Sequence, residues 1–405
     1  MKKLNIVVVG TLASDPYAGM AWMHMQIVVG LMRLGHNVYY FETTSTWPYN
    51  PELGMRVDNP DYAVPYLKSV ADRFGVVDRW AYRCSFSADK QWLGLNKNKA
   101  EDMLANADLV FNISAATRFA QEELNVGRLV YFGTDPVYHE IKYAQGDVKV
   151  KDLVDEHDDV VTYGENIGNA DCLIPPLPRL RAKTRQPVLM DMWQSGKPTK
   201  KEFTTVGNYR QSGRDLEFKG ETYFWSKHHE FLKFINLPKK VNQSIELATN
   251  LTKSEKILHG SGTEVPAYGV AVDDYDLLIS NGWHLIDGPS FTTNPWTYRD
   301  YVIASHGEFS FAKDQNIRLR SGWFSERSAC YLAAGRPVIT QDTAFDCAIP
   351  TGEGLYSFKT MDDIIIAFEK IKSNYKKNSN AARELAEEYF KAETVLQKLL
   401  NDLGA

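Results

Sequence analysis

The sequence has little of what marks membrane, secreted or metal-binding proteins. Among its 405 residues there are four cysteines, with no Cys-x-x-Cys pair and no metal-ligand spacing, which disfavours a disulfide framework or a zinc site. No apolar stretch approaches the ~20 residues that span a bilayer. The apolar run before Gly10 is short and interrupted by Asn5, so it predicts a first β-strand rather than a signal peptide. We therefore expect a cytoplasmic protein with reduced thiols and no membrane span.

Strong charge of one sign is also missing. The formal net charge is −5, which disfavours a general polyanion binder, and 44% hydrophobic residues are typical of a soluble globular protein. At Asp191-Met-Trp the metal-binding Asp-x-Asp pattern is missing, because a Trp stands in place of the second Asp. His228, His229 and His306 have no second ligand at metal spacing, so we expect no bound metal. The length predicts two or three domains.

Strand and helix patterns alternate along the chain. In the first ~180 residues a strand, Asn5–Gly10, precedes a long apolar helix that Gly35 ends, and further strands follow. Pro175–Pro178 and the basic run Arg179–Arg185 resemble a linker, beyond which the alternation resumes. This pattern predicts an α/β protein with two doubly wound parallel sheets. We expect domains at residues 1–180 and 181–385, followed by a C-terminal helix over 386–405. The pattern predicts an amphipathic helix over Ala381–Leu400.

The segment from Arg318 to Asp342 is the most informative of the chain. It predicts a loop, a helix starting near Ser325, a Gly-Arg-Pro turn and a buried strand that carries Asp342 to its carboxyl end. A helix start has free N–H groups and a partial positive charge, which suit a diphosphate. The residues that precede this helix fit such a site: Arg318, Arg320, Ser321 and Gly322. The alternative is an ordinary N-cap with a surface salt bridge.

A second basic cluster follows the first strand of the second half. Arg210, Arg214 and Lys219 lie on a glycine-containing loop. Cations there would neutralise a diphosphate and stabilise the charge that develops on a leaving group. The alternative is a solvated loop that faces water.

With these motifs the chain resembles the GT-B glycosyltransferases, and more narrowly CgeB-like and group 1 bacterial and phage members. The resemblance implies that Phe203–Arg210 and Lys219-Gly220 meet the donor diphosphate, and that Gly282–Gly288, with Asp287, surrounds the nucleotide base. It also implies that Trp323 and Glu326 contact the donor, and that the acceptor binds the first domain. Cys330 stands where many group 1 members have a ribose-binding Glu, and the Arg-to-Lys spacing is longer than usual.

Two residues are candidates for catalysis. In the family, an acidic or histidine residue after the first strand acts on the acceptor hydroxyl, and His24 matches that position; a neutral imidazole suits a general base. The alternative is a histidine packed in the core. Asp135 follows a strand at its carboxyl end and could be the base instead, or only a turn residue before Pro136. Trp323 could equally be core, and Glu326 could only complement the helix dipole.

The resemblance implies transfer of a hexose-like sugar from a nucleotide-activated donor of the UDP- or GDP-sugar type to an acceptor hydroxyl, without a metal and without a tightly bound cofactor. The acceptor is a glycan, a small molecule or a modified nucleic-acid base. The alternatives are a sugar-nucleotide epimerase, a phosphorylase on the same fold, or a non-catalytic protein that binds glycan or nucleotide.

Overall fold

Two parallel β-sheets, one in each half of the chain, organise the fold. The computed structural model describes residues 2–43, 45–194, 196–251 and 272–405. The elements of the first half are β1 (Asn5–Val9), α1 (Ala18–Arg33), β2 (Asn37–Glu42), β3 (Tyr49–Asn50), β4 (Met55–Arg56), α2 (Ala63–Arg73), β5 (Trp80–Arg83), β6 (Trp92–Gly94), α3 (Lys97–Ala105), β7 (Leu109–Ile113), β8 (Leu129–Gly133), α4 (Tyr138–Ala144), α5 (Val148–Asp155), β9 (Asp159–Thr162) and β10 (Leu180–Lys183).

The first sheet has the strand order β10-β9-β8-β7-β1-β2-β5-β6, and its strands pair in parallel except for the antiparallel edge pair β5–β6. Helices cover both faces of such a sheet, so its central strands are rich in branched apolar residues. β1 illustrates this rule, because Ile6 to Val9 are all buried. The antiparallel hairpin of β3 and β4 stands outside this sheet.

The second half repeats the plan with six parallel strands in the order β15-β14-β11-β16-β17-β18. Its elements are β11 (Phe203–Val206), β12 (Leu216–Phe218), β13 (Glu221–Tyr223), α6 (His228–Lys233), β14 (Ile245–Thr249), α7 (Val272–Ser280), β15 (His284–Asp287), α8 (Pro289–Thr292), α9 (Pro295–Ala304), β16 (Gly307–Ser310), α10 (Asp314–Arg318), α11 (Glu326–Ala333), β17 (Val338–Gln341), β18 (Leu355–Phe358), α12 (Met361–Ser373), α13 (Tyr375–Tyr389) and α14 (Ala392–Asp402). The predicted class, two doubly wound parallel sheets, is confirmed.

Two expectations about the connections are wrong. The basic run Arg179–Arg185 contains a strand, β10, which pairs in parallel with β9 at the edge of the first sheet. The stretch Ala381–Leu400 is not one helix, because α13 ends at Tyr389 and α14 starts at Ala392. Val188 pairs with the chain there: its N–H donates to the Phe390 carbonyl, and its own carbonyl accepts from the Ala392 N–H. This long-range pairing interrupts the helical hydrogen bonds.

The two halves share one apolar core, built where α1, α9, α11 and α14 meet. Trp22 of α1 is fully buried against Trp193 and Trp296, and its indole N–H donates to the Pro295 carbonyl at 2.8 Å. α14 lies against α1 at Gly30, where a Cβ would lie 2.5 Å from Leu396. Aromatic packing of this size holds the two domains together.

No helix among the described residues has the length and apolar character to cross a bilayer.

Candidate functional site

A cavity of about 510 Å³ lies between the two domains. Its walls come from loops that follow the strands of both sheets, where open α/β sheets bind ligands. The first domain and the segment that follows β10, together called the first-domain wall, contribute Tyr17, Met20, Tyr49, Thr134, Tyr163 and Gln186. The second domain contributes Gly207, Asn208, Asn250, Trp323, Glu326 and Arg327.

The N-terminus of α11 opens onto this cavity. Ser325 is its N-cap residue with an extended backbone, and its side chain accepts no capping hydrogen bond. Ser325, Glu326 and Arg327 all line the cavity, and the Ser328 hydroxyl is buried with no partner among the described residues. The first N–H groups of a helix have no partner within the helix. This end of α11 therefore offers uncommitted donors and a positive dipole end to an anion.

Lys227, immediately before α6, is a half-buried cation behind the same wall. Burial, and then the charges of Arg327 and Lys313, lower the pKa of Lys227 to about 7. It lines a small recess of about 10 Å³ that shares Val206, Gly207 and Asn208 with the large cavity. Its ammonium makes no hydrogen bond or ion pair within the part of the chain that the structure describes. A cation that is partly withdrawn from water and has no partner is disfavoured unless an anion binds beside it.

Arg327 is held rigidly at the cavity wall. Its Nε donates to Glu308 Oε1 at 2.5 Å, one terminal nitrogen donates to the Val206 carbonyl at 2.6 Å, and the other donates to Ser310 Oγ at 2.5 Å. Glu308 is fully buried on β16. These bonds fix the guanidinium geometry beside the Glu308 carboxylate, so Arg327 presents its two remaining N–H groups at a set position.

Asp135 and Lys313 join the two domains by an ion pair. Lys313 Nζ lies 2.7 Å from Asp135 Oδ2 and 3.1 Å from the centre of the Trp225 ring. Near this pair, Val137 has φ 107°, a rare conformation for a β-branched residue, and its N–H donates to Glu140 at 2.8 Å. Strain of this kind persists where the surrounding structure enforces it, often beside a functional site. Asp135 adjoins the cavity through Thr134, which lines it.

His24 is fully buried beneath the loop that follows β1. Its Nδ1 donates to the Met20 carbonyl at 2.7 Å, and burial lowers the pKa of the imidazole to about 4, so the ring is neutral. A Cβ at Gly10 would lie 2.1 Å from its Nε2, which has no hydrogen-bond partner among the described residues. His24 does not line the cavity, although Met20 and Met23 beside it do. Its catalytic role stays a prediction.

Glu326 and Trp323 are the predicted site residues that line the cavity. Burial raises the pKa of the Glu326 carboxyl to about 7. Gln26 Nε2 donates to this carboxyl at 2.9 Å, and the Cys330 thiol donates to it at 3.3 Å. Such a carboxyl can gain or lose a proton near neutral pH. The Trp323 indole donates to the Thr134 carbonyl at 3.1 Å, which joins the two walls of the cavity.

The predicted basic loop lies away from these cavity walls. Arg210 pairs with Asp274 at 2.5 Å and also contacts His228. Arg214 is exposed, with its guanidinium 5.1 Å from the Trp225 ring centre. Lys219 is exposed in the two-residue turn between β12 and β13. Their contact with a diphosphate stays a prediction.

The residues before α11 are committed to the protein itself. Arg320 pairs with Asp171 at 2.8 Å and with Asp342 at 3.5 Å. Ser321 is buried and donates to Asn316, and Gly322 packs so closely that a Cβ would lie 2.3 Å from the Asn166 nitrogen. Asp287 is exposed at the end of β15, beside the lining residue Gly288. Arg320, Ser321 and Gly322 shape the loop that carries Trp323 and Glu326 to the cavity. Their contact with a ligand, and that of Asp287, stays a prediction.

Sequence reasoning missed Lys227 and Lys313 and gave Arg327 no role. In the structure Lys227 immediately precedes α6, a position where the helix dipole disfavours a cation. Burial of these side chains depends on packing between distant strands, which local patterns do not report. Among the described residues, no group of three or more His, Cys, Asp or Glu side chains is arranged to hold a metal ion.

No protein-family model and no curated protein sequence matches this chain. Solved structures do match it along its whole length. HepE of Anabaena, solved in complex with UDP and glucose, has a TM-score of 0.54 at 11% identity and covers 99% of both chains. Sucrose-phosphate synthase from Thermosynechococcus elongatus has a TM-score of 0.51 at 12% identity, covering 98% of both chains. At this identity the likeness shows the fold, and it confirms the predicted GT-B architecture.

Proposed function

We propose that this chain is a GT-B glycosyltransferase, of the CgeB-like and group 1 kind, that moves a hexosyl group from a nucleotide sugar to an acceptor hydroxyl. One observation carries the proposal: Lys227, a half-buried ammonium without a described partner, lies behind the wall of a cavity that also receives the N-terminus of α11. A diphosphate would supply the missing negative charge. The complex of HepE with UDP and glucose supports a UDP-sugar as donor.

The donor diphosphate would bind between the first turn of α11 and the cations Lys227 and Arg327. Its nucleoside would lie along Thr249, Asn250 and Gly288, which line the second-domain side of the cavity. As the glycosidic bond breaks, negative charge develops on the diphosphate, and fixed cations and amides stabilise it. These groups neutralise the leaving group without a metal, so we propose a metal-independent reaction.

The acceptor hydroxyl needs a base. We place Glu326 in this role, because it lines the cavity and its pKa of about 7 suits proton transfer. Asp135 stays a candidate for orienting the acceptor through the neighbouring Thr134. His24 is a positioning residue in this proposal, since it supports the β1–α1 loop from below. The four free cysteines fit a cytoplasmic enzyme.

A thermal-shift screen tests the proposal. Ligands that bind the folded state raise Tm, so UDP and a UDP-sugar should raise it together, with GDP and GDP-mannose as the competing pair. Replacing Lys227 by Met should remove the shift, whereas Arg320→Ala should leave it, because Arg320 is paired with Asp171 away from the cavity walls. Donor consumption that needs no acceptor would favour an epimerase instead. No response to any nucleotide would contradict the proposal.

A further inference from the structure

The first-domain wall of the cavity carries two buried polar atoms without partners. Tyr163 is 2% exposed and Gln186 is 1% exposed, and both line the cavity. The Tyr163 hydroxyl and Gln186 Oε1 have no hydrogen-bond partner among the described residues, although Gln186 Nε2 donates to the Phe324 carbonyl at 2.5 Å. Buried polar atoms in native proteins almost always have a partner. A ligand with hydroxyl groups would supply it.

Aromatic side chains line the same cavity as these atoms. At the exposed side of the cavity Tyr17 stacks on Tyr49, with ring centres 5.8 Å apart and planes 23° from parallel. Tyr298 and Trp323 line the same cavity. Aromatic rings present a flat apolar face, and a few convergent polar groups beside such faces fix the orientation of a ligand. A sugar ring combines an apolar C–H face with a rim of hydroxyls, so it matches this wall.

The chain segment that brings Tyr49 and Pro51 to the cavity limits the chemical class of the ligand further. The segment 45–62, which contains the hairpin of β3 and β4, has three carboxylates, Glu52, Asp58 and Asp61, and one arginine. That arginine, Arg56, is already paired with Asp15 at 2.8 Å. Nucleic acid and anionic lipid surfaces bind through phosphate contacts with cations, and the one arginine of this segment is already paired. A neutral ligand needs no such cation.

We propose that the first-domain wall is the acceptor site and that it binds a neutral sugar, with Tyr163 and Gln186 holding hydroxyls and Tyr17 and Tyr49 packing against the ring. This inference rests on the proposed function and selects the glycan class among the three acceptors considered above. In the transfer, the acceptor oxygen forms a bond to the anomeric carbon and its proton passes to Glu326. The bond from that carbon to the diphosphate oxygen breaks, and the nucleoside diphosphate leaves with the electron pair.

A transfer assay with the full chain tests the inference. The donors are UDP-glucose, UDP-galactose, UDP-N-acetylglucosamine and GDP-mannose; the acceptors are an array of neutral oligosaccharides and DNA that contains 5-hydroxymethylcytosine. Tyr163→Phe removes one hydroxyl without changing the ring. One lost hydrogen bond should raise the acceptor KM roughly three- to tenfold, with the Kd for UDP unchanged. Tyr66→Phe is the matched control, since the Tyr66 hydroxyl is also buried without a described partner but does not line the cavity.

Tyr17→Ala is the second variant, because Tyr17 is 42% exposed and its loss does not empty the core. Transfer to a neutral sugar, with KM raised in Tyr163→Phe and Tyr17→Ala but not in Tyr66→Phe, supports the inference. Transfer to DNA, or a sugar KM that neither variant changes, overturns it. UDP binding without transfer to any of these sugars overturns it too, while the proposed donor site survives. Failure to bind any nucleotide overturns the proposed function itself.

Discussion

Replacing Lys227 by Met should stabilise the ligand-free protein and weaken the binding of the donor. Met has a similar length and no charge, so it removes an ammonium that burial and two neighbouring cations disfavour. The pKa of Lys227 falls from 10.5 to about 7 in the folded state. A pKa change of that size corresponds to a loss of folding stability of roughly 5 kcal/mol at most. Because water reaches the half-buried amine, we expect a loss of about 1–3 kcal/mol.

The pH dependence follows from the direction of this change. Because the pKa is lower in the folded than in the unfolded state, the full cost of the charged amine is present below about pH 7. Above that pH the folded protein binds fewer protons than the unfolded chain, so the cost shrinks as pH rises towards 10.5. The stability gained by Lys227→Met should therefore be largest at pH 6.5 and smaller at pH 9.5, as measured by urea unfolding.

The same substitution should weaken UDP binding roughly 10- to 100-fold in titration calorimetry, the value of one hydrogen bond to a charged group. Lys240→Met is the control, since Lys240 is exposed at the surface. Lys219→Met tests the expectation from sequence, because weaker UDP binding there would place the diphosphate at the β12–β13 turn. A Lys227→Met protein that is less stable than wild type at pH 6.5, or that binds UDP equally well, would refute the reasoning.

Three further changes test the cavity walls. Glu326→Gln removes a carboxyl whose pKa is raised from 4.5 to about 7 in the folded state. As pH rises from 5 to 8, the free energy of unfolding of the wild type should therefore fall by about 1–2 kcal/mol relative to that of the variant. An equal difference at both pH values in urea unfolding would contradict this. Gly322→Ala places a Cβ 2.3 Å from the Asn166 nitrogen, at a residue with φ 76°. We expect the free energy of unfolding, measured by the same method, to fall by more than about 2 kcal/mol. An unchanged free energy of unfolding would show that the loop is free to shift. Asp135→Asn leaves Lys313 buried without its carboxylate, which should cost about 3 kcal/mol and lower Tm, whereas an unchanged Tm would mean that the pair does not join the domains.

Local sequence patterns carried most of the fold. Branched apolar runs such as Asn5–Val9 and Val338–Gln341 are buried parallel strands, as their composition indicates. The patterns failed where a distant segment decides the structure. Val188 interrupts the final helical stretch by pairing beside Lys391, and β10 forms because β9 offers it an open edge.

The site was less predictable than the fold for a related reason. Arginines are visible in sequence, but their partners are not: Arg320 and Arg210 are neutralised by Asp171 and Asp274 from other elements. Lys227 is distinctive only through the burial of its amine beside Arg327 and Lys313. Helix starts and strand ends could therefore be predicted from the sequence. The sequence did not show that Lys227 is the cation without a paired carboxylate.

A crystal structure of the protein with UDP tests the central claim most directly. We expect the diphosphate within hydrogen-bonding distance of the Lys227 ammonium and of the first backbone amides of α11, with the uridine beside Asn250 and Gly288. UDP bound at Arg320 or at the β12–β13 turn, with Lys227 still unpaired, would contradict it.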